Sequence, residues 1–217
     1  MNGALAAHAT ELTEGIAALG IDPVPELPAR LLAFGELLLK WNRVYNLTAI
    51  HNPREIITHH LLDSLAVLPW INHLRTLADI GSGAGLPGIP IALACPGLTV
   101  VSIETVGKKA SFQQQAKITL QLDNLTIINR RAETIHATDF PDDGVDGAIS
   151  RAFSSLANFA RLAGHWIKDG GTLYAMKGTL PQAEIAALPA EWQLTASRPL
   201  TVPGLEAERH LLLLRRK

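Results

Sequence analysis

The chain has 217 residues, 47% of them hydrophobic, and a formal net charge of -1. That length and apolar content suit one α/β domain plus an accessory segment and exclude a disordered chain. The lone cysteine, Cys95, excludes a disulfide framework and points to a reducing compartment, and no apolar stretch reaches membrane-spanning length before Pro, Gly or a charge interrupts it.

The opening residues MNGALAAHATELTEG lack the basic and apolar regions of a secretion signal, so a cytoplasmic location is expected. From Leu27 to Trp41, the residues Leu31, Leu32, Phe34, Leu38 and Trp41 recur at helical spacing, and Glu55 to Val67 reads similarly after Pro53. Residues 1–70 are therefore expected to form a helical extension packed on a catalytic domain of residues 71–217. Beyond them the pattern alternates: strand Thr76–Ile80, helix Ile89–Ala94, strand Thr99–Ile103, helix Lys108–Leu122 and strand Thr126–Asn129. Strand Val145–Ser150, a helix from Leu156 to Ile167, a turn at Asp169-Gly170-Gly171, strand Thr172–Met176 and a helix from Pro181 to Leu188 follow. The last strands, Gln193–Ser197 and His210–Leu214, are joined by a segment with Pro199, Pro203 and Gly204, and a hairpin-like return makes the final strand antiparallel. The result is a Rossmann-like α/β fold with a mostly parallel sheet, whose ligands bind outside the strands' carboxyl ends. Nothing in this pattern demands more than a monomer.

The most informative segment is Leu77 to Pro90, LADIGSGAGLPGIP, an apolar run ending in Asp79 before Gly81, Gly83 and Gly85 alternate. Closely spaced glycines remove side chains where the backbone turns and let a ligand approach the main chain and the next helix. Pro87 and Pro90 fit the first turn of that helix. Gly83, Gly85 and Gly88 also match the G-x-G-x-x-G spacing of dinucleotide-binding enzymes, with Glu104 about 20 residues on. Asp79 tips the balance, because a carboxylate there suits a cofactor carrying positive charge, such as S-adenosylmethionine, and repels a pyrophosphate.

Glu104 ends the second strand, where an acid can bond ribose hydroxyls in either reading. Arg131, Ala132 and Glu133 follow the third strand on the loop that borders an adenine, although Glu133 could equally be a solvated loop acid. The fourth strand ends in Ile149-Ser150-Arg151-Ala152-Phe153, without the Asn or Asp, two prolines and aromatic of amine methyltransferases. Cys95-Pro96 reverses the Pro-Cys order of cytosine-C5 methyltransferases, so Cys95 reads as a small buried hydrophobe. His51, His59 and His60 invite a metal, with His59 and Asp63 on one helix face, yet two candidate ligands without a third assign none. Basic residues gather at Lys108-Lys109, Arg130-Arg131, Arg151 and Arg215 to Lys217, each pair compatible with ordinary solvated surface.

Taken together, Trp41-Asn42 with Tyr45-Asn46-Leu47-Thr48, His60 with Leu62-Asp63-Ser64, and Asp79 through Pro90 resemble one family over most of the chain. Gly107-Lys108-Lys109, Ser150-Arg151-Ala152-Phe153, Lys177-Gly178 and Glu208-Arg209-His210 complete the series. The family is the bacterial small-subunit ribosomal RNA guanine-N7 methyltransferases, RsmG or GidB. The resemblance implies a class I methyltransferase fold in which Gly81, Leu86, Ala132, Glu133 and Arg151 contact S-adenosylmethionine. It places Arg131, Arg151 and Lys177 near an RNA-facing mouth as the catalytic candidates. Glu104 stands where relatives usually carry Asp, and Ala110 stands where a further basic residue is common. The implied activity is direct methyl transfer to guanine N7 in the decoding region of 16S ribosomal RNA, met as free RNA, 30S subunit or precursor. Candidate phosphate contacts are Arg131, Lys177, the N-terminal helices and the tail Arg215 to Lys217. Other readings are a methyltransferase acting on another RNA, a protein or a small molecule, a nicotinamide-dependent oxidoreductase, and a non-catalytic ribosome-assembly factor.

Overall fold

The computed structural model of the protein describes residues 3–22, 24–151 and 153–217, so Ala152 of the Ser150–Phe153 segment lies outside the described residues. Helices α1 (Ala9–Ala18) and α2 (Leu27–Tyr45) come first; α3 (Pro53–Glu55) then runs into a π-helix (Ile56–Leu62), α4 (Asp63–Leu65) and α5 (Leu68–Ile71). Strand β1 (Thr76–Ile80), α6 (Gly88–Ala94), β2 (Thr99–Ile103), α7 (Gly107–Thr119), β3 (Leu125–Ile128) and β4 (Val145–Arg151) follow. The chain closes with α8 (Leu156–Ala163), β5 (Ile167–Lys177), α9 (Gln182–Ala186), β6 (Trp192–Pro199) and β7 (His210–Arg216).

The seven strands form one sheet in the order β3-β2-β1-β4-β5-β7-β6. Strands β1 to β5 pair in parallel, and β7 inserts antiparallel between β5 and β6. Strand order reverses between β1 and β4, which opens a crevice at their carboxyl ends. Successive residues serve opposite faces: Leu77 and Val100 pack in one hydrophobic cluster, Ala78 and Val101 in another. The first cluster runs from Leu5 through the N-terminal helices, α6 and α7 to Leu211, whereas the second holds α8, Phe140 and Trp166. Both faces are covered, which is why β1 is buried along its whole length.

Three local expectations are corrected. Asp169-Gly170-Gly171 is no turn between elements but an excursion inside β5: Val145 pairs with Ile167, the next registered pair is Gly147 with Thr172, and Gly170 takes a φ of +78°. The helix expected to reach Ile167 ends at Ala163. Trp166 turns into the second cluster there, 1% exposed, and its Nε1 donates to the Ile135 carbonyl at 2.9 Å. The segment expected as regular helix from Glu55 to Val67 is π-wound over Ile56–Leu62. Such widened turns leave carbonyls to other donors, and the His59 carbonyl accepts from Arg151 Nη1 at 3.0 Å and His60 Nδ1 at 3.1 Å.

Helix α2 crosses α7 antiparallel. Near its start, Arg30 Nη2 donates to the Leu120 carbonyl at 2.6 Å, and further on Phe34 and Trp41 flank Phe112 with ring centroids 6.1 and 5.7 Å away. Phe112 is fully buried. Phe112→Ala is expected to cost about 3–5 kcal/mol of stability through the cavity it leaves, read as a lower denaturant midpoint; a loss below about 1 kcal/mol would mean that α2 does not depend on this ring for its seat.

Candidate functional site

Strand β1 delivers the chain to the carboxyl edge of the sheet, where Gly81 and Ser82 N–H both donate to the Ile103 carbonyl at the tip of β2, at 2.9 and 3.2 Å. Gly81, Gly83 and Gly85 then take φ values of +66°, +58° and +76°, where side chains are disfavoured. A Cβ at Gly85 would also meet Ile89 Cδ1 at 2.3 Å, whereas none of the described residues lies within 4 Å of one at Gly81, so the outer side of the turn is open backbone. Leu86 is buried on the inner side.

Asp79 lies beneath this turn with no exposed surface. Its Oδ2 accepts from the first helical N–H of α6, Gly88, at 2.8 Å, while Oδ1 is buried with no partner among the described residues. Burial pushes the carboxyl up from an ordinary 3.8 to about 7, against the Gly88 hydrogen bond and the Arg151 charge that pull it down. A Cβ at Gly88 would sit 2.7 Å from Oδ2, so that glycine keeps the carboxylate seated.

Glu104, 5% exposed at the end of β2, reaches back to the same turn. Its Oε2 accepts from Gly83 N at 2.7 Å and its Oε1 from Val106 N at 2.7 Å. Thr105 Oγ1 adds a longer bond to Oε1 at 3.4 Å, and Oε2 keeps a lone pair for a further donor. Next to it a hollow is lined by Thr105, Asn129, Arg130, Arg131 and Glu133, and Ala132 is buried behind it. Two neighbours escaped the sequence reading. Val106 leaves 40% of its surface exposed beside Glu104, and Gln113, fully buried on α7, donates from Nε2 to Ser82 Oγ and to the Gly83 carbonyl, both at 2.8 Å. Only its place one residue after Phe112, on the inward face of α7, hinted at Gln113.

Across the switch point, Ser150 Oγ donates to the Ile80 carbonyl at 2.9 Å and ties the tip of β4 to the start of the glycine turn. Arg151, the next residue, points into a cavity of about 320 Å³ lined by His59, His60, Asp63, Lys177 and Arg209, among others. Asp63, 1% exposed, receives Arg151 Nη1 at 3.2 Å on one oxygen and Arg209 Nε at 3.0 Å on the other. His60 sits beside them and is neutral, because burial and then the Arg151 charge push its pKa down to about 3. Its Nδ1 donates to the His59 carbonyl and its Nε2 lies 2.8 Å from Thr48 Oγ1. Lys177 contributes its stem to the cavity wall, while its ammonium is held by the Phe153 carbonyl at 3.2 Å and by both oxygens of Glu184 at 3.1 and 2.9 Å.

The predicted site residues thus fall into two groups. Arg151 and Lys177 share the cavity; Arg131 does not join them and lines the hollow beside Glu133 instead. The tail is also redirected. Antiparallel β7 starts beside Lys177 and ends at Arg216 opposite Trp192, at the other edge of the sheet. There Arg215 Nε donates to Thr172 Oγ1 and Arg216 to the Gly164 carbonyl, so the residue that β7 brings to the site is Arg209 at its head.

A glycine turn after β1, an acid ending β2 and a sheet whose antiparallel β7 lies between β5 and β6 define the class I S-adenosylmethionine-dependent methyltransferase fold. A structure of TYW2 from M. jannaschii in complex with AdoMet shares it, with a TM-score of 0.54 at 13% identity over 71% of this chain and 74% of that one. Sequence narrows the class: residues 28–212 match the family model described as GidB, rRNA small subunit methyltransferase G. Over 212 residues the chain is 61% identical to ribosomal RNA small subunit methyltransferase G of Azoarcus sp. (strain BH72), spanning 98% of each. Its namesake from Aromatoleum aromaticum is 55% identical across 96% of this chain and 99% of that one. The chain belongs to the GidB family of methyltransferases, and the oxidoreductase suggested by the glycine spacing falls away.

The residues fit the cofactor of that class. The orphaned Asp79 Oδ1 and the open backbone at Gly81 offer an acceptor and a surface to a cationic ligand. Because the Asp79 pKa is raised on folding, the stability held at low pH is lost as pH climbs from about 4 to about 7. Denaturant titration between those values should show the wild type weakening relative to Asp79→Asn, which has no such proton to lose; parallel curves would refute a raised pKa at this carboxyl.

Proposed function

We propose that the protein transfers the methyl group of S-adenosylmethionine to N7 of a guanine in the decoding region of small-subunit (16S) ribosomal RNA. One observation carries this reading beyond family membership: among the described residues lining the cavity at the tip of β4, the Asp63 carboxylate is taken up by Arg151 and Arg209, His60 is held between Thr48 and the His59 carbonyl, and the groups left facing the space are chiefly guanidinium donors. Guanine N7 presents an unprotonated lone pair, so nothing has to be removed from it before attack. When bound, the cofactor supplies an electrophilic methyl group on a sulfonium. What remains for the chain is to hold the two partners in line.

On this reading Gly81, Gly83 and Gly85 present main chain to the cofactor, and Asp79 offers its unpartnered oxygen to the cationic amino acid end. Glu104 accepts from the ribose, while Val106, Ala132 and Glu133 border the adenine with Arg131 at the rim. Leu86 closes the turn from inside, and Arg151 stands between cofactor and cavity. Arg151 and Arg209 orient the purine by donating to its carbonyl and to neighbouring phosphates. Lys177 steadies the loop through the Phe153 carbonyl and is a positioning residue. Residues 1–70 act as a helical extension of the catalytic domain of residues 71–217. The enzyme works as a monomer in the cytoplasm, on the 30S subunit or its precursor; among the described residues no helix is long and apolar enough to cross a membrane.

Incubation with labelled S-adenosylmethionine and unmodified small subunits, followed by mapping of the modified nucleotide, should yield a single N7-methylguanine. Label in free nucleosides, or in an extract stripped of RNA, would defeat the assignment. Arg209→Ala is expected to slow transfer about 10²-fold by loosening the base while leaving cofactor affinity, measured by calorimetry, unchanged. Equal losses in both would move Arg209 to the cofactor side.

A further inference from the structure

Four large hydrophobic side chains are markedly exposed among the described residues, and two of them are adjacent: Val44 at 70% and Tyr45 at 40%, closing α2. The helix stops there because Asn46 adopts the left-handed conformation, φ +49°, which leaves the final turn standing free. Tyr45 is nonetheless held. Its ring lies 5.1 Å from that of Trp41 at a tilt of 33°, and Trp41 packs in turn on Phe112, so the exposed part of the Tyr45 ring is backed by a line of aromatic side chains.

Two sets of bonds fix this tip next to the reaction site. Asn42, 1% exposed, accepts from Thr48 N at 2.9 Å and donates to the Ile50 carbonyl at 3.2 Å, and Ile50 lines the cavity with His60. On the other side Phe112 precedes Gln113, which bonds Ser82 and Gly83 of the glycine turn. Arg30 meets Leu120 and Trp41 meets Phe112, so α7 runs back against α2; Tyr45, one turn beyond Trp41, is thereby directed toward the first turn of α7, which precedes Phe112 by one turn and carries Lys108 and Lys109. Neither lysine enters an ion pair among the described residues.

We infer that Val44 and Tyr45, together with Lys108 and Lys109, form a docking surface for single-stranded RNA flanking the target guanine, with one base stacked on the Tyr45 ring and a phosphate held by the lysines. An exposed aromatic ring backed by further aromatic side chains and bordered by unpaired cations is what an unpaired nucleotide requires. A protein partner would need a broad apolar patch, whereas the exposed apolar surface at the end of α2 amounts to two side chains. The inference rests on the RNA-methylating reading above and supplies that site with contacts beyond its cavity.

The test uses the full chain with unmethylated small-subunit ribosomal RNA as the probe, read by filter binding and by methyl transfer. Tyr45→Ala should weaken RNA binding about tenfold, the range expected for one lost stacking contact, and Tyr45→Phe should restore it. Tyr45→Leu keeps an apolar group against Trp41 but no ring face, so it should remain weak. Lys108→Ala should flatten the dependence of affinity on salt, and Tyr45→Ala should leave that slope unchanged. Cofactor affinity should stay at the wild-type value in all four variants. If Tyr45→Leu binds RNA as the wild type does, or if Tyr45→Ala weakens cofactor and RNA alike, the surface is overturned. Tyr45-dependent RNA binding by a protein that transfers no methyl group would instead uphold the surface and sink the functional reading.

Discussion

One buried carboxylate joins the accessory helices to the chemistry. Asp63 belongs to the N-terminal segment, yet its two oxygens are taken by Arg151 at the end of β4 and Arg209 at the head of β7. An ion pair of this kind adds little net stability over a well-packed apolar core, but losing one partner strands a buried charge. Its value is therefore geometric. Three segments distant in sequence are brought to one point, and two guanidinium groups are aimed into the cavity with one carboxylate between them. The π-wound turn before Asp63 serves the same end by leaving the His59 carbonyl free for Arg151.

A similar economy governs the other half of the crevice. Asp79 holds the first N–H of α6 from below, Glu104 holds Gly83 from the side, and Gln113 holds Ser82 and the Gly83 carbonyl from above. Three polar side chains from β1, β2 and α7 thus fix a glycine-rich backbone that has no side chains with which to fix itself. Glutamate at position 104 has the reach to touch both Gly83 and Val106. The residue expected to meet the ribose is also the clamp of the turn beneath it.

Where the chemistry of the chain is local, the sequence was readable. Strands β1 and β2 run over the predicted residues because apolar runs bounded by polar or turn residues admit few other structures, and the alternate glycines before α6 announce a tight turn. Elements set by tertiary contacts were less readable. The end of α8 at Ala163 has a local mark in its C-cap Gly164, and the burial of Trp166 against Ile135 fixes the break there. Nothing local makes residues 56–62 π-helical, since the donor that favours it, Arg151, is about 90 residues away. The family resemblance likewise puts Arg131 in one group with Arg151 and Lys177. Strand order separates them, since β3 and β4 have β2 and β1 between them.

Charge conservation explains why the proposed transfer asks for no acid-base step. On the proposed reaction a positive charge leaves the methyl donor and appears on the purine, so the total in the crevice does not change. Little new electrostatic stabilisation is then needed at the transition state, and alignment dominates. The balance differs between the two ends of the transfer. Around the purine, Arg151 and Arg209 face one carboxylate and Lys177 faces another, which leaves an excess positive charge. Around the donor lie Asp79 and Glu104, both acids. This polarity attracts RNA phosphates to the cavity and a cationic donor to the glycine turn. It also makes the cavity a poorer host for the methylated, cationic base than for neutral guanine. The cations that draw the substrate in therefore favour release of the product, without any group having to change its protonation.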